Sequence, residues 1–310
     1  MSWKKLPERS IAMALTINTN LSSMIVQSNL SKATTSLNKA IERMTTGYKI
    51  NHAADNAAGY SIARNWEAQL GSLDVAADNA ATGADMLSTL EDHYALVSSH
   101  VQRVRDLTEQ AANGTYGTAS LKAIHSEITA RLQEIDRISA NCEFSGQYLM
   151  NASMSDIAIQ VGTDGNAAKS QITLSNTLFA SGSVADLFKD YGGITGASVA
   201  EVAKLCSGYD PSTNGVTSTK PSAQLKAIDD VINEISNRVT TLGAAQNRIE
   251  SAIESIGVQT ENITSSLSTL RDADVATESS NYIKAQILQQ ASATLLATAN
   301  QTPAIALNLL

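Results

Sequence analysis

Residues Asn56–Asn113 read NAAGYSIARNWEAQLGSLDVAADNAATGADMLSTLEDHYALVSSHVQRVRDLTEQAAN, and this stretch decides the fold. It contains no proline and few glycines. Its bulky apolar residues fall at Ile62, Trp66, Leu70, Leu73, Leu87, Leu90, Tyr94, Val97, Val101, Val104 and Leu107, with Ala77, Ala80 and Ala84 filling the middle. The steps are threes and fours, which is one stripe along one α-helix, with Asp, Glu, Gln, Arg and Asn on the remaining surface. At ~1.5 Å per residue such a helix is roughly 85 Å long. A narrow, alanine-diluted stripe of that length cannot be buried against itself, so partner helices of similar length are expected, in a rod-shaped bundle.

Those partners can be found on either side. Upstream, a thinner stripe runs from Ile17 to Met44 through Leu21, Ile25, Leu30, Leu37, Ile41 and Met44, with Leu30, Leu37 and Met44 in heptad spacing. Gly47–Ala58 interrupts the periodicity as a connector. Downstream, NGTYG at 113–117 supplies a turn, and Leu121, Ile124, Ile128, Leu132, Ile135 and Ile138 predict a third helix over Thr118–Ala140, folding back on the long one. Between Asp156 and Ser175 the period changes to two, through Ile157, Ile159 and Val161, then Ile172 and Leu174, predicting a β-hairpin.

Residues 176–220 are rich in Ser, Gly, Thr and Asp and read as a surface insertion, with a short helix at Val199–Leu205. From Ala223 the helical stripe returns through Leu225, Ile228, Ile232, Ile235, Val239, Leu242, Ile249, Ile253, Ile256, Ile263, Leu267 and Leu270. A charged break at Arg271–Asp274 then precedes a last helix through Ile283, Ile287, Leu288, Leu295 and Leu296. The layout is nearly palindromic, so the two ends of the chain are expected to pair. Residues 1–12 share no pattern with the rest of the chain and read as an extension, with Met13 the more natural start.

Composition agrees. Apolar residues make up 43% of the 310 but aromatics only 4%, as in helical seams rather than thick globular cores, and the four prolines leave 8–210 free of helix breakers. A formal charge of −8 with no basic stripe argues against binding nucleic acid. No apolar run approaches the roughly 18 residues of a membrane span, and the N-terminus has no apolar core of a secretory leader.

Catalytic chemistry is not indicated. His93 and His100 lie two turns apart, too far for a shared metal on one helix, and Glu91 and Asp92 are adjacent, so they point in different directions. Cys142 and Cys206 have no ligand spacing and read as free thiols. No phosphate-binding or nucleophile motif occurs. Gln286, Gln289 and Gln290 read as a polar helix seam. Neither a cofactor nor an enzymatic role is expected. The ends carry the functional signal: amphipathic segments with almost no aromatics bury too little to offset their ordering entropy, and order when a partner is supplied. If that partner is another copy in a contact that does not close, an open helical filament results. A monomeric coiled coil with frayed ends is the rival reading.

Several blocks resemble a known family. MALTINTN (13–20), AIERMTTGYKINHAADNAAGYSIA (40–63), VQRVRDLTEQAANGTYG (101–117), EITARLQEIDRIS (127–139), LGAAQNRIESAI (242–253), RDADVATESSNYIKAQILQQ (271–290) and ANQTPAIALNLL (299–310) together resemble bacterial flagellin, over roughly residues 13–165 and 223–310. The resemblance implies a mainly α fold: a long antiparallel helical rod or coiled-coil bundle with paired terminal helices, a small β-hairpin region and a short variable outer insertion.

It implies a terminal inner-core domain of residues 13–46 and 279–310. A rod domain of 47–175 and 221–278 would include spoke connectors at 44–58 and 270–278, and 176–220 would be a surface-exposed insertion. It further implies self-polymerisation into the extracellular flagellar filament, export through the flagellar apparatus, an export chaperone on the C-terminal helix, and hook-associated and cap proteins as neighbours. The assembly residues would be Leu30, Leu37, Ile41, Met44, Ile283, Ile287, Leu295, Leu296, Leu309 and Leu310.

Some members of the family are read by the innate immune receptor TLR5. The matching positions, also a protofilament contact face, are Gln102, Arg103, Leu107, Gln110, Glu127 and Arg131. Met44, Thr45, His52 and the two cysteines depart from the usual pattern. Two alternatives share the terminal blocks. One is a flagellar hook–filament junction protein. The other is a surface-displayed homologue binding carbohydrate, for which Phe179, Phe188, Tyr191 and Tyr209 are the available aromatic platforms.

Overall fold

A computed structural model describes residues 19–151, 154–189, 198–217 and 220–307, with side chains described to Gln301. The expected extension at 1–12, most of the 13–20 block, Tyr191, Leu309 and Leu310 lie outside the described residues. In chain order the elements begin with α1 (Leu21–Thr46), α2 (Ala57–Ala112) and α3 (Thr118–Asn141). The strand pair β1 (Glu143–Phe144) and β2 (Gln147–Tyr148) comes next, then β3 (Ile157–Gln160), α4 (Ala167–Ser170) and β4 (Gln171–Leu174). Two short helices, α5 (Val184–Leu187) and α6 (Val199–Ser207), and a pair of two-residue strands, β5 (Tyr209–Asp210) and β6 (Gly215–Val216), lead into α7 (Leu225–Arg271) and α8 (Val275–Leu307). The fold is mainly α, with long helices and small antiparallel strand pairs. The described residues form two compact units, one within 19–67 and 263–307 and one within 68–262.

In the second unit the apolar stripe of α2 is buried where the sequence places it. Leu73, Leu87, Leu90, Tyr94, Val97, Val101, Val104 and Leu107 are all within 2% of full burial, and from Leu87 on they share one core with Ile128, Leu132 and Ile135 of α3 and Ile228, Ile235, Leu242 and Ile249 of α7. Polar bonds fix the register. Arg103 meets Glu127 across the α2–α3 turn, while Arg105 meets Asp229 and Glu91 meets Gln246, so α7 runs antiparallel to α2. The stripe is off by a residue where it is thinnest: Ala76 rather than Ala77 is buried, and in the first unit Ala63 is buried while Ile62 is exposed.

The hairpin forms as expected, with Ile157 opposite Leu174 and Ile159 opposite Ile172. It also explains a mid-helix glycine. A Cβ on Gly83 of α2 would lie 2.4 Å from Ile159 Cδ1, so glycine leaves room for the Ile159 side chain, which would otherwise have to turn aside.

The described part of 176–220 has both exposed positions, such as 211–214, and buried ones. Phe179, Val184, Leu187, Phe188, Val202, Ala203, Cys206 and Tyr209 are buried in the same core. The helix α6 starts with a Ser198/Glu201 capping box, packs on α3, and ends at Gly208 with φ +66°. Ser207 is buried beneath His125, whose Nδ1 lies 3.0 Å from Ser207 Oγ. The segment reads as polar because its few apolar side chains are spread over several short elements, none with a helical or strand period long enough to register.

In the first unit α1 and α8 pair antiparallel. Asn20 Nδ2 donates to Ala299 O at 2.7 Å, Gln289 Nε2 to Thr34 Oγ1 at 3.3 Å and Arg43 to Glu278 at 3.0 Å. Asn20 also caps α1 by accepting from Ser23 N, and Gly47 at φ +76° ends it.

Candidate functional site

The α1/α8 seam is heptad-spaced, as expected, but its occupants differ. On α1 the shielded positions include Val26, Leu30, Ala33, Leu37 and Ala40, and on α8 Glu278, Tyr282, Ala285, Gln289, Ser292, Leu296 and Ala299, stepping by threes and fours. Only Ala33, Ala40, Glu278 and Ala285 are fully buried. Small and polar residues hold the fully buried positions and let the two helices approach closely, while many of the bulky side chains are left outside.

The expected assembly residues therefore divide. Leu30, Leu37 and Leu296 are half-buried in the seam, whereas Ile41, Met44, Ile283, Ile287 and Leu295 stand exposed. Leu21, Met24 and Ile25 of α1 and Val275 and Leu288 of α8 join them. Met24 and Val275 are additions that the helical stripes do not mark. Met24 could have been found from its place three residues after Leu21, off the heptad seam, whereas Val275 has no apolar residue three or four positions away to mark it. Gln289 lies in the seam as expected.

Beside the seam runs a groove of about 700 Å³, with Ala33, Ala40 and Ala285 as its floor and Lys32, Lys39, Arg43, Lys284, Leu288 and Leu295 around it. Glu278, at 7% exposure, accepts from Arg43 and so is a paired rather than a lone buried charge.

The connectors are tied to each other within this unit. Lys49 N donates to Arg271 O at 2.7 Å and Ala273 N to Gly47 O at 2.8 Å, and Tyr48 bridges Asp272. The Arg271 guanidinium lies 4.0 Å from the centre of the Tyr48 ring and pairs with Glu67. Asp55 accepts from the main-chain N–H groups of Asn51 and His52 and pairs with Lys39 at 2.6 Å. That Lys39 contact, aided by the main-chain donors, holds the Asp55 carboxyl at about 2. His52 Nε2 lies 2.7 Å from Glu42. A Cβ on Gly59 would lie 2.8 Å from Asn56 Nδ2 and 2.9 Å from Ile50 Cδ1, so glycine there leaves room for both side-chain ends.

The second expected face lies on α2 and α3. Glu127 Oε1 accepts from Arg103 at 2.9 Å and lies 3.9 Å from Arg131 NH2, with Gln102 and Gln110 exposed alongside. Leu107 is not part of that surface. At 2% exposure it continues the buried line of Val101 and Val104, because a three-residue step keeps it on the core side of α2. The face is thus an array of two guanidinium groups, one carboxylate and two amides. Among the described residues no group of His, Cys, Asp or Glu is arranged to hold a metal ion, and no described helix is long and apolar enough to cross a membrane.

Comparison with known proteins places this arrangement. The bacterial flagellin N-terminal helical region matches residues 17–155, and the bacterial flagellin C-terminal helical region matches residues 225–310. The chain belongs to the bacterial flagellin family.

Among flagellins, it is 35% identical to that of Bacillus subtilis (strain 168) over 313 aligned positions, covering 95% of this chain and 99% of the relative. It is 35% identical to the flagellin of Xenorhabdus nematophila, covering 96% and 100%. Against the flagellar filament 33 kDa core protein of Treponema phagedenis it is 30% identical, covering 95% and 99%. The fold is also that of a putative flagellar hook-associated protein from Vibrio parahaemolyticus, with a TM-score of 0.55 at 16% identity over 70% of this chain and 100% of that one. Flagellins are structural proteins, and this chain is not an enzyme.

Proposed function

We propose that this chain is the repeating subunit of an extracellular flagellar filament, and that it polymerises through the outer faces of α1 and α8. One observation carries the reading. Ten of the eighteen large hydrophobic side chains exposed among the described residues belong to these two helices: Leu21, Met24, Ile25, Ile41 and Met44, with Val275, Ile283, Ile287, Leu288 and Leu295. Exposed apolar residues at that density mark an interaction surface. The helix pair that carries them buries little of its own, so it is weakly stable until neighbours cover it.

In this reading residues 13–46 and 279–310 form the inner-core domain. Residues 47–175 and 221–278 form the next helical domain with its connectors, and 176–220 is its short outer part. The Arg103–Glu127–Arg131 array supports a polar contact between neighbouring subunits. The same face is the one that, by family resemblance, TLR5 would read on the free subunit. Family resemblance likewise supports export through the flagellar apparatus, a chaperone on the C-terminal helix, and hook-associated and cap proteins at the filament ends. The carbohydrate-binding alternative loses support, since Phe179, Phe188 and Tyr209 are buried and offer no platform.

The test is seeded polymerisation. Purified subunit, and a version lacking residues 1–55 and 270–310, are mixed with sheared filament fragments and followed by light scattering and electron microscopy. Filaments from the full chain alone are expected. Equal growth from the truncated chain would end the proposal.

A further inference from the structure

The sequence holds two Asn-Gly pairs, Asn113–Gly114 and Asn214–Gly215, and the fold treats them in opposite ways. Asn113 is the first residue after α2, and residues 113–117 are all exposed. Its Oδ1 accepts only a long bond from Thr115 N, at 3.4 Å, and Gly114 has nothing within 4 Å of the place a Cβ would take. Among the described residues the Gly114 N–H has no acceptor.

Asn214 is held. Its Oδ1 accepts from the Tyr209 hydroxyl at 2.5 Å, and its φ is +48°. Gly215 lies opposite Asp210 in the β5–β6 ladder. Because Thr217 N donates to Gly208 O at 2.8 Å, the alternation of an antiparallel ladder makes Asp210 and Gly215 the next hydrogen-bonded pair, which commits the Gly215 N–H.

We propose that Asn113 is a site of spontaneous deamidation in the folded chain and that Asn214 is protected from it. The reaction needs only water and hydroxide. The Gly114 main-chain nitrogen loses its proton to hydroxide and attacks Asn113 Cγ. The new N–Cγ bond closes a five-membered succinimide, the Cγ–Nδ2 bond breaks, and the amide nitrogen takes up a proton and leaves as ammonia. Water then opens the ring at either carbonyl, giving aspartate or its β-linked isomer. Glycine favours the attack because no Cβ obstructs the nitrogen or restricts the backbone.

At Asn214 the same attack requires the hairpin to open and two hydrogen bonds to be given up, which slows it at least about tenfold. The product places a carboxylate at the C-terminal end of α2, where the helix dipole disfavours it. The β-linked isomer also adds a methylene to the main chain in the α2–α3 turn. Asn113 N donates to Gln110 O at 3.1 Å, so the change adjoins the polar face on α2 and α3.

The test incubates the full-length folded chain at mildly alkaline pH, with a parallel sample in urea. Both are digested at intervals, and mass spectrometry follows the two Asn-Gly peptides and their β-linked isomers. In the folded sample Asn113 is expected to convert at least about tenfold faster than Asn214, and in urea the two rates converge. The variant Gly114→Ala should slow only the first site. Equal rates at the two sites in the folded chain, or an Asn113 that stays intact there, would overturn the proposal.

Discussion

The most informative perturbation is the triple change Ile283→Gln, Ile287→Gln and Leu295→Gln on α8. These side chains are 51%, 59% and 57% exposed, so each has about half its surface left to bury on assembly. Full burial of such a side chain contributes ~1.5–3 kcal/mol, so half of three together contributes ~2.3–4.5 kcal/mol per subunit. That corresponds to a critical concentration raised roughly 45-fold to 2,000-fold, with the lower end expected because glutamine retains part of the contact. Glutamine is at least as good a helix former as isoleucine, and all three positions lie off the seam, so the isolated subunit should melt as the parent does. Pelleting of seeded growth across a concentration series reads the first quantity, and circular dichroism the second. A critical concentration within about twofold of the parent, with melting unchanged, would refute the assignment of this face to assembly.

Local chemistry sets three further outcomes. Gly162→Ala should destabilise the second unit by ~1–3 kcal/mol in thermal or urea melts, since its Cβ would lie 2.9 Å from Ser170 Cα, whereas Gly165→Ala, in open space, should fall within ~0.5 kcal/mol of the parent. The Asp55 carboxyl is held at about 2, below its usual value of 3.8. Its contribution is therefore whole above the unfolded value and fades as pH falls from there toward about 2. Acid melts of the parent should steepen in that window relative to Asp55→Asn. Burial raises the thiols of Cys142 to about 11 and of Cys206 to about 12, so alkylating reagents at neutral pH should label neither until the chain is unfolded in denaturant, as mass spectrometry can show.

Much of this fold is legible in the sequence because its long helices repeat one simple pattern many times. The stripe in Asn56–Asn113 marks α2 to within a residue, and the fold-back of α3, the hairpin at 157–174 and the break at 272–274 are each signalled by a change of period or a turn. The α1/α8 seam is legible as a heptad, and Leu30, Leu37 and Leu296 lie in it, but its fully buried occupants are not legible. When Ala33, Ala40, Ala285 and Gln289 hold the inner positions, hydrophobicity points to the wrong face. Leu107 misleads for a related reason. A leucine beside Arg103 reads as part of that surface until α3 and α7 are packed against the other side of α2. The burial of Phe179, Leu187, Val202 and Tyr209 rests on contacts with residues far away in sequence, and the strand pairs at 143–148 and 209–216 are only two residues a side, too short for any period to register.

The central claim is that α1 and α8 gain their stability from neighbouring subunits, and amide hydrogen exchange tests it most directly. Exchange would be measured on the free subunit and on sedimented filaments of the same chain. The account predicts that amides of 21–46 and 275–301 exchange fast in the free subunit and become strongly protected in the filament, while those of Val97–Leu107 are protected in both. Terminal helices already protected to the level of Val97–Leu107 before assembly, with no further gain in the filament, would contradict it.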